Sequence, residues 1–161
     1  PVRGNIQTRI NKIVSENLDG LIVAKAALNR LKINYPNMYI FSENQMLPAA
    51  AQGAIGIEVC SSQIQSGTLE ILKMINCQKT FTATKIEREI VAALEGTCLS
   101  PISALVRARD SKLHLQVRVS NQDGSTIIEK ETTFVLAKEL EAVSRFKIEL
   151  LAEGAQELIQ T

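Results

Sequence analysis

The 161-residue sequence has no tryptophan, two tyrosines and four phenylalanines, so a surface that stacks nucleic-acid bases on aromatic rings is not expected. An excess of one charge is also missing. Eighteen Lys and Arg face 17 Asp and Glu, a formal net charge of +1, and no overall basic field points to nucleic acid or to a membrane. No apolar run is long enough to span a bilayer, and no signal peptide is visible. Cysteine is sparse: Cys60, Cys77 and Cys98 are widely spaced and odd in number. They suit neither a disulfide framework nor zinc spacing, which makes a reducing cytoplasm the default. The single histidine, His114, alternates within a strand pattern with no Cys or carboxylate spaced to join it. It is expected at a surface or strand edge, and no metal site is expected. An initiating methionine is missing too, and Pro1-Val2-Arg3 enters directly on a motif, as expected of a piece of something longer.

What is present is an ordinary globular share of apolar residues, 45%, arranged around the stretch Lys85 to Ile102. Ile86, Ile90, Ala93 and Leu94 fall on one face of a helix expected over Thr82 to Leu94, with Lys85, Glu87, Arg88 and Glu89 mostly on the other. Gly96 suits the left-handed position after a helix, and Pro101 cannot continue it. Cys98 therefore sits on a short loop between a helix and a strand that opens at Ile102. A lone cysteine is more often a small buried apolar residue, and a helix C-terminus disfavours a thiolate. Reactivity at Cys98 needs nearby cations or a covalent partner.

From the N-terminus, Asn5 is a good helix cap, and Ile6, Ile10, Ile13 and Val14 place a helix over Ile6 to Glu16. Arg9 lies in its first turns, where a cation opposes the helix dipole unless it faces an anion. Arg3, the peptide N–H groups after Gly4 and Arg9 together make a candidate carboxylate site. Leu21 to Ala24 reads as a buried parallel strand, followed by a short helix, Ala26 to Leu31, that ends near Arg30. This is part of a βαβ layout. Tyr35-Pro36-Asn37 reads as a turn and Tyr39-Ile40-Phe41 as a short strand. Ala49 to Gly56 is small throughout and reads as a hinge, with a strand over Ala54 to Val59 and a helix over Thr68 to Ile75. Strands are expected over Ile102–Ala108, Leu113–Ser120 and Ile127–Thr133, with turns at Asp110-Ser111 and Asp123-Gly124. A helix over Ala137 to Glu153, apolar at Leu140, Val143, Ile148, Leu150 and Leu151, precedes a break at Gly154. The expected fold class is α+β (mixed α/β). Residues 1–47 form a partial βαβ domain and residues 48–76 a hinge with a strand-helix return. Residues 77–161 form an α+β domain with a three-stranded antiparallel sheet covered by helices.

Three ordered blocks carry a resemblance. Leu94-Glu95-Gly96-Thr97-Cys98-Leu99-Ser100-Pro101-Ile102 resembles the cofactor-attachment loop of the hydroxymethylbilane synthase (porphobilinogen deaminase) family, usually Leu-Glu-Gly-Gly-Cys-x-x-Pro. Arg3-Gly4-Asn5-Ile6-Gln7-Thr8-Arg9 resembles its Arg-Gly-Asn-x-x-Thr-Arg. Leu47 to Glu58 resembles its Leu-Pro-Ala-Val-Gly-Gln-Gly-Ala-Leu-Gly-Ile-Glu. The resemblance implies a dipyrromethane cofactor bound to Cys98 through a thioether, with Arg3, Gly4, Arg9, Ala24, Arg30 and Gln52 binding cofactor and growing chain. It implies porphobilinogen as substrate, a missing first domain as partner, and a monomeric, cytoplasmic full-length enzyme. The family's His-Ser-x-Lys-Asp block, which holds the catalytic aspartate, has no counterpart here, so no catalytic residue is expected in this chain. Family glycines are replaced by Ala27, Ala51 and Thr97, and a β-branched residue such as Thr97 tolerates positive φ poorly. The alternative is an α+β anion-binding or interaction module that keeps the scaffold without the chemistry.

Overall fold

The computed structural model describes residues 2–160, which divide between Phe41 and Ser42 into two compact units. In the first unit α1 spans Ile6–Ser15, and Asn5 caps it as expected, its side chain accepting from the Thr8 N–H at 2.8 Å. Helix α2 spans Lys25–Leu31 and ends on Lys32 in the left-handed conformation (φ 54°). The strands expected over Leu21–Ala24 and Tyr39–Phe41 are not formed. An α-helix closes its hydrogen bonds within itself, whereas a strand needs a neighbour, and no sheet lies among the described residues of this unit.

In the second unit, α3 spans Ser66–Ile75 and α4 spans Gln78–Ala93. Strands β1 (Ile102–Arg109), β2 (Lys112–Ser120) and β3 (Ile127–Val135) follow, then α5 (Glu139–Ala152) and the short α6 (Ala155–Leu158). The sheet is antiparallel in the order β1-β2-β3, with Leu105 opposite Gln116 and Gln116 opposite Glu131. Alternation puts Ala104, Val106, Leu115, Val117, Val119 and Phe134 into one core with Ile86, Ile90 and Leu94 of α4 and Val143, Phe146 and Leu150 of α5. The expected helical face of α5 is corrected: Leu140 and Ile148 are exposed, and Phe146 takes the inward place. The strand expected over Ala54–Val59 is absent for want of a partner, leaving Ile55 and Ile57 exposed.

His114 is also corrected. It lies on the central strand and is buried, with Nδ1 3.0 Å from the Thr133 hydroxyl and Nε2 3.5 Å from Glu131. It belongs to the sheet face opposite the main core, with Arg107, Gln116 and Arg118. The segment after Ser42 is fastened to this unit. Arg107 pairs with Glu43, its Nε donating at 3.1 Å, and Arg118 Nη2 donates to the Asn44 carbonyl at 2.9 Å. Ala49 bridges Ser103 on the outer edge of β1. Two residues on, Ala51 takes a left-handed φ of 60°, and its N–H donates to Glu87 at 2.7 Å. The first half of the small-residue stretch is therefore clamped to the C-terminal unit.

Candidate functional site

The exit from α4 aims the loop that carries Cys98. Leu94 is fully buried and anchors the helix end, and the chain then reverses through Glu95, which takes the left-handed conformation (φ 54°). The expectation for Gly96 is thereby corrected: its φ is not positive, and it is small because of a close approach. A Cβ at Gly96 would stand 2.4 Å from Ile102 Cδ1 and 3.1 Å from Val91 Cγ1, both side chains of the packed unit. Thr97 likewise escapes positive φ, so the substitution of threonine for glycine carries no left-handed strain. Thr97 to Ser100 then form a turn, closed by the Ser100 N–H donating to the Thr97 carbonyl at 3.2 Å. Cys98 and Leu99 are its central residues. Both are exposed, and no hydrogen bond engages the Cys98 thiol among the described residues.

The other two thiols are exposed as well. Cys77 directly precedes α4 without a side-chain capping bond, and the Thr80 hydroxyl donates to its sulfur at 3.2 Å. That hydroxyl and then the Thr80 amide hold the Cys77 thiol below its ordinary pKa, with the Lys79 amide and charge adding to the effect. This pairing was not apparent from the sequence, because it depends on Thr80 lying one helical turn beyond Cys77. Cys77 lines a groove of about 830 Å³ with Ile55, Ile57, Leu72, Phe81 and Arg88; Cys98 does not line it.

In the first unit, the Arg9 Nε donates to the Gly4 carbonyl at 2.7 Å, so these two candidate residues meet directly. Gly4 has φ of 124°, and a Cβ there would stand 2.9 Å from Thr8 Cγ2. Glycine is thus required by the backbone and by the close approach of the first helical turn. Arg3 and Arg30 are exposed, without an ion pair among the described residues, and Arg30 sits in the last turn of α2. Ala24 is the exposed residue that precedes α2. Gln52, in the second unit, is exposed on the turn closed by its own N–H to the Ala49 carbonyl at 3.0 Å.

The expectation that Glu87 lies on the polar side of α4 is corrected. Glu87 is buried, and its carboxylate accepts the Ala51 N–H at 2.7 Å and the Val106 N–H at 2.8 Å. It thereby joins the clamped turn, α4 and the outer edge of β1. Taking Ala83, Ile86, Glu87, Ile90 and Leu94 as one stripe would have revealed it, since these positions share a helix face. Among the described residues no cluster of three or more His, Cys, Asp or Glu side chains is placed to hold a metal ion, and no helix is long and apolar enough to cross a membrane.

Comparison with known proteins gives the frame for this geometry. Residues 1–66 match the family model described as porphobilinogen deaminase, dipyromethane cofactor binding domain, and residues 81–152 match the C-terminal domain model of porphobilinogen deaminase. The porphobilinogen deaminase of Campylobacter curvus is 36% identical over 163 residues, covering 99% of this chain and 51% of its own length. That of Alkaliphilus metalliredigens is 34% identical, covering 100% of this chain and 50% of its own length. A Neisseria meningitidis serogroup A relative of the same name is 36% identical, with 99% and 50% covered. The chain spans about half the length of these relatives, and the two matched models together take in its arginine-bearing N-terminal segment and its Cys98 loop: it belongs to the porphobilinogen deaminase family.

Proposed function

We propose that this chain is the C-terminal half of a hydroxymethylbilane synthase, which joins four porphobilinogen units head to tail with loss of ammonia and releases hydroxymethylbilane. The observation that carries the reading is Cys98, an exposed thiol at the tip of a turn between α4 and β1, within the attachment-like block Leu94 to Ile102. A soft thiol adds readily to an electrophilic methylene, and the resulting thioether needs no metal. Dipyrromethane fits the remaining donors too, because its acetate and propionate groups call for fixed, always-charged partners. Arg3 and Arg30 are exposed and free of ion pairs among the described residues, and Arg9 spends only its Nε on Gly4. In this reading Gly4, Ala24 and Gln52 complete the cofactor-binding set, and residues 48–76 return to the first domain. When bound, the dipyrromethane supplies the primer on which the pyrrole chain is built. The residues of this chain hold the thioether and the carboxylates.

The aspartate block is not in this sequence, so catalysis is assigned to a partner segment, the first domain, and the chain by itself is expected to be inactive. That same feature favours the second reading, an anion-binding module that has kept the scaffold alone. The three exposed, unbridged cysteines suit a reducing cytoplasm, and the assembled enzyme is read as a monomer without nucleic-acid or membrane partners. The test is intact mass and peptide mapping after co-production with the N-terminal half of a bacterial relative. A dipyrromethane increment on Cys98 that reduction does not remove, absent in Cys98→Ser, is the expected result. An adduct on Cys60 or Cys77, or an active complex without any adduct, overturns the reading.

A further inference from the structure

The Cys98 loop differs from the family pattern at Thr97, which replaces a glycine, and it carries Ser100 at a position the pattern leaves open. In the structure these two residues are bonded to each other. Ser100 Oγ accepts the Thr97 N–H at 2.9 Å, Thr97 Oγ1 accepts the Leu99 N–H at 3.2 Å, and the two hydroxyl oxygens lie 3.4 Å apart. With the Ser100 N–H on the Thr97 carbonyl, each N–H of the turn except that of Cys98 has an acceptor inside the loop. A glycine at 97 has no side-chain oxygen for Leu99, and an apolar residue at 100 has none for Thr97. Packing cannot fix the tip instead, because Cys98 is exposed and Leu99 is 86% exposed.

We propose that Thr97 and Ser100 form a hydroxyl latch and act as positioning residues, holding the Cys98 sulfur in one orientation for the acidic cofactor it carries. The inference rests on Cys98 being the anchor. A group attached through Sγ moves with the turn, so disorder at the tip is passed to the reacting end, where a displacement of about 1 Å costs on the order of 100-fold in rate. Short hydroxyl side chains that capture neighbouring amides restrain such a turn without adding bulk around the thiol.

The experiment uses the full chain in a Cys60→Ser, Cys77→Ser background, with a nitroxide attached at Cys98 and its spectrum recorded well below the melting transition. Thr97→Val and Ser100→Ala are expected to shorten the nitroxide correlation time at least about twofold and to speed exchange of the Thr97 and Leu99 amides by roughly fivefold or more. Thr97→Ser, which keeps the oxygen, should restore both. A general loss of stability would lower the melting temperature without this spectral pattern or its rescue. Identical line shapes in all four proteins, with the dipyrromethane adduct still mapping to Cys98, overturn the latch and leave the anchor standing. In the parent chain, which keeps all three cysteines, a dipyrromethane adduct mapped to Cys60 or Cys77 overturns the anchor and the latch's role with it.

Discussion

Glu87→Gln is the substitution that most directly tests how the C-terminal unit is held together. The parent carboxylate is buried and accepts two backbone N–H groups, Ala51 at 2.7 Å and Val106 at 2.8 Å. Hydrogen bonds to a charged acceptor contribute about 1.5–3 kcal/mol each. Glutamine keeps the shape and one acceptor oxygen, but turns an NH₂ toward the second N–H, so one bond becomes a contact between donors. The freed group is also more than a loose end. Ala51 sits at φ of 60°, a conformation that costs a non-glycine residue about 1 kcal/mol and is held here by the bond to Glu87. A loss of roughly 2–3 kcal/mol follows, or about 6–15 °C in the melting temperature for a unit of this size. Far-UV circular dichroism reads the melt, and amide exchange at Ala51 and Val106 reads the local event. Glu89→Gln on the same helix is the control: its partners Lys85 and Lys147 lie at 3.9 and 3.8 Å on a partly exposed face, and the change should stay within about 0.5 kcal/mol. If Glu87→Gln melts within about 2 °C of the parent and both amides stay protected, the carboxylate is not the tie described above.

Gly96→Ala should destabilise the same unit by about 1–3 kcal/mol in a urea titration, because its Cβ would strike Ile102 Cδ1 at 2.4 Å; an unchanged midpoint would show that Ile102 gives way freely. Iodoacetamide alkylation of Cys77 should reach half-maximal rate at a lower pH than that of a free cysteine peptide, and Thr80→Val should move it upward; coincident profiles would refute the activation by Thr80. The hydrogen bond from Arg107, opposed by burial and aided by the charges of Arg107 and Arg109, holds the Glu43 carboxyl below its ordinary value. A depressed carboxyl stabilises the fold above its unfolded pKa and loses that contribution as pH falls through the folded value, so the deficit of Glu43→Gln, under about 1 kcal/mol for this exposed pair, should shrink below about pH 4. A pH-independent deficit between pH 3 and 7, on the scale of the ordinary carboxyl range near 4, would refute it.

The sheet was legible because β2 alternates, β1 opens on an apolar run, and turn signals separate the three strands; the observed spans extend the expected ones by two residues or fewer. Helices α1 to α3 were legible for a related reason: apolar spacing and the Asn5 cap are local. What periodicity hid was decided by tertiary contacts. Glu87 looks like a solvated charge until β1 and the Ala51 turn meet it. His114 looks like an edge residue until β3 pairs on its far side and brings Thr133 to its ring. Gly96 was rightly singled out for the wrong reason, since Glu95 takes the left-handed turn and Gly96 makes room for Ile102. The place of Cys98 on an exit loop could be read from the helix stop and Pro101, whereas the hydroxyl pair around it needed the turn itself. For Arg9 the sequence suggested a bare cation at the wrong end of a helix; its bond to the Gly4 carbonyl offsets part of that conflict.

The three apolar runs that failed to become strands lead to the last prediction. Leu21–Ala24, Tyr39–Phe41 and Ala54–Val59 have the composition of buried strands, yet strand hydrogen bonds must be supplied by a neighbour. In the second unit the consequence is a surface: Ile55 is 79% exposed, Ile57 59%, Ile71 61% and Met74 84%. Apolar area left in water forgoes about 25 cal/mol per Å², and Ile55 and Ile57 line one groove with Leu72 and Ile75 of α3, an apolar surface of the kind that is usually covered. The isolated chain is therefore expected to self-associate, because exposed apolar residues left without their partner find only copies of themselves. Sedimentation velocity across a concentration series measures it, and Ile55→Lys with Met74→Lys should return the chain to monomer without lowering its melting temperature. Both residues are exposed, so the pair removes no packing from the core. A parent chain that stays monomeric throughout the series, with amides of Ala54 to Ile75 strongly protected, would mean that this segment is already satisfied within the chain. The reading of it as a surface awaiting the other half would then fail.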